Sequence, residues 1–160
     1  MIVIVVLFAL IVALFLGAFF SKRRLGVLGL GLTAGAVISP LWSEDAGYIV
    51  SLSGLVDEGP LVNAIAVSAL ILIPAVLFMF HGYTYKHIIG RVLGSLIFTL
   101  FAAALLVGPI GSIITLSGPV GDIYQWITSN KEYIISAGVI IIVTDFLFAK
   151  TVQKSDKKHR

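Results

Sequence analysis

Residues 19–29 read FFSKRRLGVLG. Ile2 to Phe20 before this stretch is almost wholly apolar, and the apolar character resumes at Leu25. Four polar residues, Ser21, Lys22, Arg23 and Arg24, therefore interrupt two long hydrophobic runs. A turn that changes solvent explains such a break. Two helices leave and re-enter an apolar medium, and the cations between them stay in water. On that reading the stretch is a basic hairpin on one side of a bilayer.

The composition agrees. Across 160 residues, 59% are hydrophobic and only 12% charged, about half the usual charged share of a soluble domain. Mean hydropathy is +1.09. A chain this short leaves much of its surface exposed, so lipid is the expected solvent for most of it. The formal charge is +3 and the pI about 9.3. The basic residues are read as orientation signals, and no nucleic-acid partner is expected. The absence of cysteine excludes disulfides, thiol catalysis and thiolate metal sites.

Crossing about 30 Å of hydrocarbon takes roughly 20 apolar residues of helix. Five stretches qualify or nearly so: Ile2–Phe20, Leu25–Trp42, Leu61–Phe80, Val92–Ile114 and Tyr133–Ala149. The first lacks a positive leader and is followed by its cations, so it is expected to be retained and not cleaved. The prediction is an all-α integral membrane protein, a compact bundle of four to five transmembrane helices filling residues 1–149. A basic, disordered cytoplasmic tail is expected over 150–160.

Sorting charges by alternate loops sets the orientation. Lys22–Arg24, Lys86, Arg91 and the tail from Lys150 hold ten of the eleven Lys and Arg. The opposite loops hold only Lys131, but six of the eight acids: Glu44, Asp45, Asp57, Glu58, Asp122 and Glu132. Cytoplasmic loops carry the excess of Lys and Arg. The amino terminus is thus expected outside and the carboxyl terminus in the cytoplasm of a multi-pass inner-membrane protein. Trp42, Tyr48, Tyr124, Trp126 and Tyr133 gather at the outer boundary, and Phe19, Phe20, Phe80, Tyr83 and Tyr85 at the inner one, as amphipathic rings prefer. In the first outer loop AGYIVSLSGLV (46–56) is apolar but too short to span, and is expected to be a short interfacial or re-entrant helix. DIYQWI (122–127) is expected to be a second interfacial turn.

Glycine supplies the packing signal. Gly31, Gly35 and Ser39 recur at i, i+4 and i+8 on one helix face, and Gly90 and Gly94 repeat the spacing at the mouth of the fourth span. Small residues so placed let helix backbones approach in lipid. Gly35→Leu is therefore expected to disrupt packing, and Leu28→Ala is not. Pro74 removes a hydrogen bond mid-span and is the candidate hinge. The candidate polar residues are Asp145, Arg91 and Asn63. Asp145 is the sole acid inside a span, expected to pair with a tail or loop cation. Arg91 is placed to snorkel or to meet an anionic headgroup. Asn63, with Thr33, is placed to bridge helices.

Ionisable groups are otherwise scarce within the spans, which argues against a coupled pump and against an intramembrane enzyme. The sequence contains no HExxH pair, GxSxG elbow or Walker A loop. No catalytic residue, metal or cofactor is expected. The acid pairs Glu44–Asp45 and Asp57–Glu58 are read as solvated or topogenic.

A basic hairpin SKRR comes first, followed by a span rich in small residues. An acidic outer loop then enters the third span as DEGPLVNAIAVSALILI (57–73), and the fourth opens GRVLGSLIFTLFAAALL (90–106). Over about residues 1–115 this layout resembles the colicin V production protein family of small bacterial inner-membrane proteins. The resemblance implies a role in export or envelope homeostasis without an assigned reaction. Together these readings predict a non-enzymatic accessory or assembly factor working through helix–helix contacts. Its expected partners are membrane lipids and either further copies of itself or another membrane protein. The alternative is a small oligomeric channel.

Overall fold

The computed structural model describes residues 2–52, 59–85, 87–111 and 118–156, with side chains for 5–52, 59–85, 87–111 and 118–148. Within them the fold is all-α. Helix α1 spans Ile2–Ser21, α2 Leu25–Leu52, α3 Pro60–Met79, α4 Ile88–Gly111 and α5 Pro119–Asp156. Three of these, α2, α3 and α4, are long and apolar enough to cross a membrane, and Val5–Ser21 of α1 forms a shorter apolar helix.

The helices run further than the sequence suggested. α2 continues past Trp42 to Leu52, so residues 46–52 of the expected interfacial segment are its last turns, and residues 53–56 lie outside the described part. Pro40 sits inside this helix. α4 begins at Ile88, four residues before the expected Val92, and is described to Gly111. α5 takes in DIYQWI, the fifth predicted span and the tail through Asp156. The expected interfacial turn at 122–127 and the expected disorder of 150–156 are thus corrected to helix. The reason is local. Gly118 at φ 74 turns the chain, Pro119 is preorganised for a first helical position, and Asp122 lies in the first turn. No proline follows, and extending a nucleated helix is easy.

The helices alternate in direction. Gly31 lies against Ala75 and Gly35 against Ile71, so α2 and α3 are antiparallel. Gly26 meets Phe146 and Gly29 meets Ile142, which sets α5 antiparallel to α2. Gly138 lies under the Phe101 ring and Gly111 beside Tyr124, which sets α5 antiparallel to α4. α4 touches all four other helices, while α1 rests mainly on α4. Leu28, Leu32, Phe98, Phe101, Leu106 and Ile142 fill the centre and are essentially sealed. The outside is apolar too: Phe8, Leu41, Leu77, Leu93 and Ile140, one from each helix, are each more than half exposed.

Leu28 therefore belongs to the core. The expectation that Leu28→Ala is harmless is corrected, because α2 is gripped on two sides, by α3 through Gly31 and Gly35 and by α5 through Gly26 and Gly29.

Candidate functional site

The carboxyl ends of α1, α3 and α5 and the amino ends of α2 and α4 meet at one end of the bundle. Helix ends leave backbone groups without intrahelical partners, and here charged side chains from other elements supply them.

The hairpin that opened the sequence is held against the α3–α4 link. α1 stops as the Ser21 hydroxyl donates to the Ala18 carbonyl at 2.8 Å and Lys22 adopts φ 59, a left-handed geometry uncommon outside glycine. Arg23 and Thr84 then form an isolated antiparallel bridge. Its hydrogen bonds run from Arg24 N–H to the Tyr83 carbonyl and from Tyr85 N–H to the Lys22 carbonyl, both at 2.9 Å.

From this frame the arginines reach in three directions. Arg23 donates to the carbonyls at the end of α3: Nε to Met79 at 3.1 Å, Nη2 to Phe80 at 2.7 Å and Nη1 to Gly82. Arg91, on α4, donates through Nη2 to the Phe19 carbonyl of α1 at 2.8 Å, with its guanidinium 4.4 Å from the Phe19 ring centroid. Cations at helix carboxyl ends complement the helix dipole. Arg24 turns to α5, where Asp145 Oδ1 accepts Nη2 at 2.8 Å and Nε at 3.3 Å. The two side chains are 17% and 15% exposed.

Asp145 has a second task. Its Oδ2 accepts the backbone N–H of Gly26 at 2.8 Å. A carboxylate from α5 thus caps the first turn of α2, the role a local Asp or Ser usually fills. Beside it the Tyr85 hydroxyl accepts the Leu25 N–H at 3.1 Å, and the Arg24 guanidinium lies 5.4 Å from the Tyr85 ring centroid. Burial pushes the Tyr85 phenol above its ordinary pKa, outweighing the opposing donation from Leu25. With both oxygens engaged, Asp145 is arranged as a fixed electrostatic cap.

The other sequence candidates take distinct places. Gly90 and Gly94 face the Tyr85 ring, and a Cβ on Gly94 would sit 2.8 Å from its hydroxyl oxygen. Those glycines make room for the tyrosine that closes α2. Ser39 is buried, and its hydroxyl donates to Ala36 within α2. The Thr33 hydroxyl likewise donates to Gly29 of its own helix at 2.9 Å. Pro74 lies inside α3, which continues through it, between Ile71 and Ala75 that face the α2 glycines. Asn63 is exposed at the opposite end, in a groove with Ser43, Tyr48 and Ser51.

Sequence reasoning missed Tyr85 and Gly26 as site residues. Gly26 directly follows the basic knot and carries a readable signal, since glycine at the start of a helix admits a close neighbour. Tyr85 carries none beyond its position near two glycines. No family model, curated protein or solved structure matches the chain.

Proposed function

We propose that this chain is a five-span inner-membrane protein, amino terminus outside and carboxyl terminus in the cytoplasm. In this reading it acts as a non-catalytic accessory to export or envelope maintenance. The membrane assignment is supported by the many large apolar side chains that each of the five helices exposes. An exposed apolar surface of that extent belongs in lipid and not in water. The fifth span is supported by the course of α5, whose Tyr124 hydroxyl donates to Val107 at the carboxyl end of α4 and whose Asp145 caps α2 at the other end. The 21 residue steps from Tyr124 to Asp145 rise about 32 Å, roughly the thickness of the hydrocarbon layer. The orientation is supported by Lys22, Arg23, Arg24 and Arg91 lying at one end.

One observation carries the accessory role. Arg23, Arg24, Arg91 and Asp145 all engage helix ends or each other, and the buried hydroxyls of Ser95 and Thr99 donate to their own helix. The middle of the bundle is then an apolar core in which Phe98 and Phe101 are fully buried. Such a molecule works through its surfaces. The channel reading requires several copies, because buried apolar side chains occupy the centre of one copy. Purified protein in liposomes is expected to pass neither ions nor small solutes, and mild-detergent extracts are expected to retain a membrane-protein partner. Flux from reconstituted protein, abolished by a core substitution, would overturn the accessory role.

A further inference from the structure

The groove beside Arg24 sets a guanidinium against an apolar wall. It is a cavity of about 420 Å³ lined by Arg24, Ile140, Ile141, Thr144, Asp145 and Phe148. Ile140 is 67% exposed and Phe148 63%, so the groove opens sideways, away from the bundle.

A guanidinium has five N–H donors. Arg24 gives two of them to Asp145 Oδ1, and the remaining three have no acceptor among the described residues. Asp145 is neutralised by Arg24 and also receives the Gly26 amide, so the pair carries no net negative charge, and Lys22, Arg23 and Arg91 at the same end of the bundle make that end positive. Ile141 and Ile140 continue the wall about one helical turn from Asp145 toward the middle of the bundle. Planar donors at one end of an apolar trough suit a phosphate diester carrying an acyl chain.

We infer that this groove binds an anionic phospholipid of the cytoplasmic leaflet, its phosphate on Arg24 and one acyl chain along Ile141 and Ile140. The inference rests on the membrane placement proposed above. Binding to the folded state raises its thermal midpoint, which gives the readout. Purified protein in neutral detergent is expected to show a higher Tm with added phosphatidylglycerol than with equal phosphatidylcholine. Native mass spectrometry is expected to show phosphatidylglycerol retained. Thr144→Trp fills the groove from an exposed position; it is expected to keep its Tm in phosphatidylcholine and lose the phosphatidylglycerol increment. Ile65→Trp, exposed on α3 near the opposite end, is expected to keep the increment. Full retention of the increment by Thr144→Trp overturns the inference, as does equal stabilisation by both lipids. Reproduction of the shift by inorganic phosphate alone overturns it in favour of a free-anion site. Recovery of folded monomer without detergent would instead remove the membrane placement itself.

Discussion

Asp145 and Gly26, 119 residues apart in the chain, are joined by a 2.8 Å hydrogen bond from the glycine amide to the carboxylate. The same carboxylate holds Arg24 at 2.8 Å. Helix cap and ion pair are therefore one device, and its removal has two costs.

Asp145→Ala is expected to destabilise the protein by about 3–5 kcal/mol, because it leaves Arg24 partly buried without its counterion and the start of α2 without its cap. Arg24→Met combined with Asp145→Leu is expected to recover part of that loss, since an apolar pair removes the unpaired charge. Thermal melts of the parent, Arg24→Met, Asp145→Leu and the double variant in one detergent check this, and strictly additive losses would show that the pair is not coupled.

Gly35→Leu is expected to prevent the α2–α3 hairpin from closing. A Cβ there already lies 2.6 Å from the Leu70 carbonyl oxygen and 2.7 Å from Ile71 Cα, and backbone atoms cannot step aside. Gly47→Leu, with nothing within 4 Å, is expected to be tolerated. Size-exclusion profiles and yields of the two variants compare them directly.

Leu28→Ala opens a void in the sealed centre and is expected to lower stability measurably. With the proposed membrane placement the effect lies toward the low end of the about 2–5 kcal/mol known for soluble cores, because in lipid the transfer part of that cost is small. A melt indistinguishable from the parent protein would remove Leu28 from the core.

Alkaline pH is expected to weaken the protein through Tyr85. Burial raises its pKa in the folded state from the ordinary 10.0, so above that pH the unfolded chain releases this proton first. Stability contributed by the neutral phenol is complete below pH 10 and declines as pH rises through the folded value. Tyr85→Phe is expected to be less stable at neutral pH, having lost the acceptor for Leu25 N–H, and to show a shallower alkaline decline. Tm measured from pH 8 to 11 gives both quantities.

Orientation has a direct check in a chain without cysteine. Asp45→Cys is expected to react with a membrane-impermeant thiol reagent in intact cells, and Lys22→Cys only after permeabilisation. Equal labelling of both would overturn the proposed placement.

That the chain holds four or five helices was legible because apolar runs are separated by charge or glycine, and the five helices among the described residues grow from those runs. Their ends were less so. Glu44 and Asp45 suggested a loop where α2 simply continues, and DIYQWI looked like a turn because its polar residues were judged apart from the helix they begin. The glycines of α2 were legible as small, but not their division into a face for α3 and a face for α5. The clasp was hardest to read. Arg24, Tyr85 and Asp145 lie on three separate segments, and a cap supplied by a distant segment leaves no local spacing to recognise. The knot of cations read as an orientation signal is also a set of helix caps.

The capping of α2 by α5 also bears on how the chain is made. A ribosome delivers α2 long before Asp145 exists, so the nascent second helix waits with an open first turn until α5 packs beside it. Products truncated before residue 145 cannot complete that joint, which gives quality-control proteases a physical basis for telling unfinished chains from finished ones.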